Sequence, residues 1–372
     1  MKERVMAQVD ISALRHNMHE LRQIVGMRTN IMAIVKADAY GHGACEISKA
    51  VVTSGAEWLG VATLEEAIQL EKATPGASIC ILSPIRRDEA EDVVLHRFIP
   101  IIGDFETALA LSKAAQKLRS NVKVHIEIDT GMGRSGCLPE QASKLADMIN
   151  RLNGVTTTGL MTHFPSPEDD ATLTLHQFQT FLSVVKTVEA TDTFLQHLHC
   201  ASSAAILRYP EMRLNMVRPG LLIYGIRPSV PEDVESPNLK PVLTLKSQIV
   251  AIRTLPAGSS ISYGRTHVLR TNSRLATISV GYGDGYPRAL GNKADVLICG
   301  KRCPILGRVC MDVMVVDVSH VVEASVGSEV VLIGAQANER ISAEDLASMV
   351  PTTEHDITTR LTSRVPRAYV NN

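Results

Sequence analysis

The sequence lacks an excess of charge of either sign: 38 Lys and Arg stand against 39 Asp and Glu, a formal net charge of −1. That balance provides no electrostatic footprint for a nucleic acid or an anionic lipid surface as partner. No stretch approaches the ~20 consecutive apolar residues of a membrane-spanning helix. The segment Met1–Asp10 has no long apolar run behind its charges, so it does not read as a secretion signal. The seven cysteines are scattered and odd in number, which fits reduced thiols in a cytoplasm better than a disulfide framework. No low-complexity tract interrupts the chain. What is present is a globular balance, 45% hydrophobic and 21% charged over 372 residues, with length enough for a large barrel and an accessory domain.

The first ~235 residues alternate short apolar runs with helical patterns. The expected strands are Ile31–Val35, Trp58–Ala62, Ile79–Ser83, Phe98–Ile102, Val122–Ile128, Val155–Thr162, Leu195–His199 and Leu214–Val217. Helical patterns fall between them, as at Leu14–Val25, Leu64–Lys72 and Thr107–Leu118, and Asp10 and Ser12 suit the first helix's N-terminus. Eight strands separated by helix-length segments predict a (β/α)8 barrel; a doubly wound open sheet is the alternative that alternation alone leaves standing. Four prolines, Pro228, Pro231, Pro237 and Pro241, then mark a linker. Beyond it the runs Val242–Arg253, Leu275–Val280, Asp295–Cys299, Val313–Val318 and Glu329–Ile333 are β-rich and punctuated by glycine and proline. They predict a C-terminal antiparallel β-domain, with one short helix at Ala343–Met349. The expected division is 1–235 for the barrel and 236–372 for the β-domain.

In a closed α/β barrel, function collects past the carboxyl ends of the strands. That rule selects Lys36 after the first strand, the Asp129–Arg134 loop after the fifth, His163 after the sixth, His199 with Ser202 and Ser203 after the seventh, and Arg218 to Gly220 after the eighth. Lys36 follows five apolar residues, so a partly buried amine is expected there, with a lowered pKa and nucleophilicity toward carbonyls. Gly131, Gly133 and Gly136 can be a simple turn; Arg134 within it needs an anionic oxygen to bind. The His197-Leu-His199-Cys200 run invites a zinc reading, but strand alternation puts Cys200 on the face opposite both histidines. Cys299, Cys303 and Cys310 read as ordinary cysteines of the β-domain. Ser203 and Gly220 stand where barrels commonly bind phosphate. An amine, an arginine and a phosphate cradle together suit pyridoxal phosphate.

The segments Ala33–Gly43, Asp129–Arg134, Thr162–Phe164, Val217–Gly220, Ser262–Gly264, Gly281–Pro287 and Arg308–Asp312 resemble, in order, the motifs of the alanine racemase family. The resemblance covers essentially the whole chain. It implies a cytoplasmic, pyridoxal phosphate-dependent racemase that interconverts L-alanine and D-alanine for peptidoglycan synthesis, working as a head-to-tail homodimer with shared active sites and without metal. By the same resemblance, Lys36 would hold the cofactor's aldehyde. Tyr40, Ser203, Gly220 and Leu221 would hold its phosphate, and Arg134 its phenolic oxygen. His163 would pack against the ring, and Arg218, oriented by His199, would face the pyridine nitrogen. Tyr263, Met311 and Asp312 would complete the site of the other subunit, with Arg134 and Met311 also meeting substrate.

Racemisation removes an α-proton and returns it on the opposite face, so two bases are needed: Lys36 on one face and Tyr263 on the other. A tyrosine with an unperturbed pKa of ~10 needs nearby positive charge for that role. An arginine at the pyridine nitrogen stays charged and should leave that nitrogen unprotonated, suppressing transamination. Two positions depart from the family pattern. Glu127 stands where many members carry a lysine, sometimes carbamylated, and could pair with Arg134 directly. Ser363 stands where some members have a tyrosine that narrows the entrance, which leaves racemisation of serine or a broader set of amino acids as the alternative; Tyr282 and Arg288 could also set the gate. A single-domain pyridoxal phosphate carrier would lack the region holding Tyr263. A barrel decarboxylase would use a β-domain cysteine, and Cys310 lies near that position.

Overall fold

A computed structural model of the chain describes residues 3–231 and 233–371. It divides into two compact units. One comprises Arg15–Ala39 and Ala44–Leu239; the other takes the N-terminal segment through Leu14, Tyr40–Gly43, and the chain from Lys240 onward. The linear division at 235/236 has no place for the two early segments in the second unit. What draws the first of them there is strand pairing, described below.

The first unit is the barrel. Its strands are β2 (Asn30–Ile34), β3 (Trp58–Val61), β4 (Ser78–Ile81), β5 (Ile99–Ile102), β6 (Val122–Glu127), β7 (Val155–Met161), β8 (His197–His199) and β9 (Met216–Val217); β1 (Val5–Asp10) lies in the other unit. All eight are parallel, in the order β8-β7-β6-β5-β4-β3-β2-β9. β3 and β5 are buried at every position and β4 at all but its first, as strands covered on both faces must be. That is why they read as apolar runs and not as alternations. β8 and β9 share no ladder. Asn215 bridges that seam: its Oδ1 accepts from the Leu198 amide at 2.7 Å and its Nδ2 donates to Gln196 O at 3.0 Å. Past the strand ends, Arg218 N donates to Ala201 O at 2.9 Å. The open doubly wound alternative therefore falls: a two-residue β9 closes back onto β2 and is stitched to β8 by a side chain.

Side-chain caps start several of the outer helices. Thr63 accepts from Glu66 N for Leu64–Ala73, Asp104 from Thr107 N for Phe105–Leu118, and Asp170 from Leu173 N for Ala171–Glu189. No helix among the described residues is long and apolar enough to cross a membrane.

The second unit is a mostly antiparallel sheet. Its spine is β10 (Leu243–Leu255), which pairs antiparallel with β1, with Ser273–Ile278 and with Glu329–Gln336. β1 alternates buried and half-buried residues and also pairs in parallel with Arg367–Val370. The chain's two ends thus share one sheet, a long-range pairing that no local pattern announces. The strands Lys301–Pro304 and Arg367–Val370 and the helix Glu354–Thr359 were not among the expected elements. Each is at most six residues long and carries no sustained period. Buried Asp284 ties this unit together: its carboxylate pairs with Arg4 and Arg364 and accepts from Gly281 N at 3.0 Å.

Candidate active site

Lys36 ends the apolar run after β2 and is half-buried. Its amine lies below its usual value because burial penalises the ammonium; the charge of Arg134, and more weakly that of Arg218, push the same way, and Glu66 opposes them. An amine held toward its neutral form is a nucleophile for an aldehyde and a base for a C–H proton.

The backbone leaving Lys36 is the least expected feature. Ala37, Asp38, Ala39 and Tyr40 all have φ of 52–53°, so Lys36–Gly41 is a turn of left-handed helix. L-residues resist that conformation by roughly 1–2 kcal/mol each. The turn is held at several points. Ala39 N donates to Val35 O at 2.9 Å, Ala37 N to Glu66 Oε1 at 2.7 Å, and Ala44 N to Asp38 Oδ1 at 2.8 Å. Gly41 completes it where a Cβ would stand 2.1 Å from Thr358 O. Strain of this kind persists only where the surroundings over-determine it, and it gathers at functional sites.

Glu66 is a site residue that sequence reasoning missed. Its second oxygen accepts from Ala62 N at 2.7 Å, so one carboxylate clamps the chain after both β2 and β3. The signal was available as Thr63-x-x-Glu66, a capping-box spelling, but here the glutamate reaches beyond its own helix. Tyr224 was missed as well: it is fully buried and its hydroxyl donates to Ile34 O at 2.9 Å, fixing the end of β2.

Arg218 is 5% exposed and follows β9. Its Nη1 donates to His199 Nδ1 and to His199 O, both at 2.8 Å. Its Nη2 donates to Thr162 O at 2.8 Å and reaches His163 Nδ1 at 3.2 Å and Cys200 O at 3.4 Å. Nε is the one nitrogen of the guanidinium without an acceptor among the described residues. His163 is pushed down to about 3, and His199 falls well below its ordinary value, each by burial first and the Arg218 charge second. Both rings are therefore neutral and can accept from the arginine.

Ser203 is buried, and its Oγ accepts from Gly220 N at 3.0 Å and Leu222 N at 3.4 Å, which brings the segments after β8 and β9 together. The Leu221 amide between them has no acceptor among the described residues. In the loop after β6, Asp129 Oδ1 accepts from Gly131 N at 2.9 Å and Gly133 N at 3.0 Å. The left-handed glycines there do form a turn, and the turn carries Arg134, whose Nη2 stands 3.9 Å from Glu127 Oε1. Glu127 is 4% exposed, so the carboxylate at the end of β6 is a buried anion beside a half-exposed guanidinium.

The barrel unit thus gathers Lys36, Arg134, His163, His199, Ser203, Arg218, Gly220 and Leu221 past the carboxyl ends of its strands. Tyr40, Tyr263, Met311 and Asp312 belong to the sheet unit. Burial raises the Tyr40 hydroxyl to about 12, so it stays a hydrogen-bond donor. Tyr263 sits in a tight turn between Ser262, at φ 60°, and Gly264, at φ 74°, with its side chain 69% exposed. Ser262 Oγ holds the turn by donating to Arg308 O at 2.6 Å. Met311 is half-exposed, and Asp312 Oδ1 accepts from Arg364 Nη2 at 2.7 Å. The Gly281–Pro287 and Cys310–Met311 segments pair through Tyr282 N to Cys310 O at 3.0 Å and Gly283 N to Met311 O at 2.9 Å. Glycine is needed there: a Cβ on Gly281 would stand 2.3 Å from Cys310 O. Ser363 is exposed. Among the described residues no group of three or more His, Cys, Asp or Glu side chains could hold a metal ion.

The chain as a whole resembles known proteins. Residues 9–228 match the family model described as alanine racemase, N-terminal domain, and residues 242–369 the one described as its C-terminal domain. The alanine racemase of Halothermothrix orenii is 40% identical over 366 residues, covering 98% of this chain and 96% of that protein. That of Desulfovibrio desulfuricans is 41% identical over 368 residues, covering 98% of each. Among solved structures, alanine racemase from the D-cycloserine-producing Streptomyces lavendulae superposes with a TM-score of 0.94 at 31% identity, covering 100% of this chain and 98% of that one. The Clostridium difficile enzyme also reaches a TM-score of 0.94, at 30% identity, covering 100% and 97%.

Proposed function

This chain belongs to the alanine racemase family, and on that premise we propose that it interconverts L-alanine and D-alanine with Lys36 and Tyr263 as the two bases. The family's cofactor is pyridoxal phosphate, and the residues present fit it. An amine lowered toward its neutral form awaits an aldehyde. Within the barrel unit the amide of Leu221 and the hydroxyl of Ser203 supply donors for a phosphate. Arg218 Nε remains to donate to a ring nitrogen that accepts. Lys36 would hold the cofactor's aldehyde until the substrate's own amine takes its place, which frees the Lys36 amine; pyridoxal phosphate would then supply the electron withdrawal that acidifies the substrate's α-proton.

The protein's part is to place and move that proton. The Lys36 amine takes or returns it on one face. The phenol of Tyr263 of the partner subunit serves the opposite face, so a homodimer completes the site. The 69% exposure of Tyr263 and the half-exposure of Met311 support that assignment, because both side chains stand free to meet another copy. Arg218, unable to give up its proton, holds the ring nitrogen unprotonated and restrains transamination. Arg134 binds the phenolic oxygen, and Glu127 supplies the counter-charge at 3.9 Å. In this reading the enzyme works in the cytoplasm and supplies D-alanine for peptidoglycan.

The observation that carries the proposal is the placing of Lys36, Arg134, His163 and Arg218 past the carboxyl ends of four barrel strands, with Arg218 held by His199 and His163. Purified protein supplied with pyridoxal phosphate should convert L-alanine to D-alanine without releasing carbon dioxide. L-Serine and L-glutamate in parallel assays define the breadth that Ser363 permits. Tyr263→Phe should abolish racemisation; a fully active Tyr263→Phe protein refutes the two-base assignment.

A further inference from the structure

His125 lies in β6, ahead of the loop that carries Arg134, and has no part in the chemistry above. It is fully buried, and its Nδ1 stands 2.9 Å from His199 Nε2. His199 in turn meets Arg218 through Nδ1 at 2.8 Å. Three groups therefore form one line: Arg218, His199, His125.

Proton counting fixes the line. A guanidinium nitrogen only donates, so His199 Nδ1 must be bare. Both histidines lie far below their ordinary values, chiefly through burial, with His125 at about 3. Each is neutral and carries one ring proton. The proton of His199 is thus on Nε2, where it is donated to His125 Nδ1. His125 must then carry its own proton on Nε2, an atom with no hydrogen-bond partner among the described residues. That buried orphan is a local cost, of the kind that calls for a compensating role.

Two features of the fold serve this placement. The β6–β7 ladder slips between Val124 and His125, so that Val124 pairs with Thr157 but His125 with Gly159. A bulge of this sort re-aims a side chain. Gly159 then leaves the room: a Cβ there would stand 2.6–2.8 Å from Cδ2, Cγ and Nε2 of the imidazole. On its other sides the ring meets Trp58 and His197, at centroid distances of 5.5 and 5.6 Å.

We propose that His125 is a positioning residue that fixes the tautomer of His199, and through it the orientation of Arg218, with Gly159 as the space that admits it. The consequence for chemistry rests on the reading that Arg218 meets the cofactor's ring nitrogen. If the tautomer of His199 were reversed, an N–H would face an N–H at Arg218, and the guanidinium would be turned or displaced. His125 thereby acts at the ring nitrogen without touching it.

The test begins with the wild-type holoenzyme labelled with 15N-histidine. NMR should show His199 with a bare Nδ1 and a protonated Nε2, and His125 with a bare Nδ1. A protonated His199 Nδ1 overturns the proposal, and this measurement needs no activity. His125→Leu removes the acceptor. Its kcat for alanine should fall roughly 10-fold or more, the scale of losing an orienting partner, with KM little changed and transamination per turnover increased. His125→Asn keeps an oxygen near the place of Nδ1 and should restore most of kcat and the partition. Gly159→Ala retains the imidazole but displaces it, and should reproduce the changed partition of His125→Leu. Wild-type kcat, partition and His199 tautomer in His125→Leu overturn the proposal. Absence of racemisation in the wild-type protein overturns the proposed function instead, and leaves the tautomer result standing.

Discussion

Glu66→Gln tests how the site holds its lysine. The native carboxylate accepts two backbone N–H groups, from Ala37 and Ala62, each at 2.7 Å. A carboxamide offers one oxygen. Whichever amide keeps it, the other faces an NH2 group, donor against donor. One charge-assisted bond is therefore lost, worth about 1.5–3 kcal/mol. Because Glu66 is half-buried and water can reach part of the gap, a loss of about 2 kcal/mol in stability is expected. The electrostatic consequence is separate. Glu66 is the one charge that raises the Lys36 amine against the lowering effects of burial, Arg134 and Arg218. Its removal should move the Lys36 pKa further down. Chemical denaturation of wild type and variant checks the first effect. The pH dependence of Lys36 modification by an amine reagent, in cofactor-free protein, checks the second. Glu65→Gln, an exposed neighbour, should leave Lys36 reactivity unchanged and serves as control. A stability change below about 0.5 kcal/mol, within the range of an ordinary surface substitution, or a Lys36 pKa that rises, refutes the clamp.

Lys36 also sets a pH slope. Its folded value lies below the ordinary 10.5, so between those two values the unfolded chain binds more protons and stability rises with pH. Cofactor-free Lys36→Met should lose that rise and be more stable than wild type at neutral pH; denaturation curves at pH 7 and 10 decide it. Asn215→Leu strands the Leu198 amide at the barrel seam, while the exposed Gln196 carbonyl turns to water, and should cost about 1–3 kcal/mol. Hydrogen exchange should show lost protection at Leu198; unchanged protection there means that another group closes the seam. Gly281→Ala drives a Cβ to 2.3 Å from Cys310 O. It should part the Gly281–Pro287 and Met311 segments and lower activity with little change in cofactor affinity, as read by titrating the variant with pyridoxal phosphate.

The apolar runs made most of the barrel legible. Parallel strands covered on both faces must be continuously apolar, and the runs at Ile79 and Trp58 end within one or two residues of the strands observed. The rule that function follows strand ends selected Lys36, Arg134, His163, Ser203 and Arg218 from position alone, and all five lie past the carboxyl ends of barrel strands. The glycine motifs were visible too, but not their reason. Gly281 is required by a carbonyl 29 residues further along the chain, at Cys310, and Gly159 by an imidazole on a neighbouring strand. Glu66 hid inside an ordinary capping spelling, because its second hydrogen bond goes to a different strand's end.

The sequence by itself determined the period of each element and the chemical type of each group, since both are local properties of residue and spacing. It set an amine after one strand, an arginine after another and a tyrosine in a glycine-bounded turn. Tertiary structure alone decided what depends on partners distant in the chain. It placed the N-terminal strand beside the C-terminal one and closed the barrel through Asn215. It wound Ala37–Tyr40 to the left against the preference of every residue in it. It also chose the tautomers of two histidines by setting one against an arginine that can only donate.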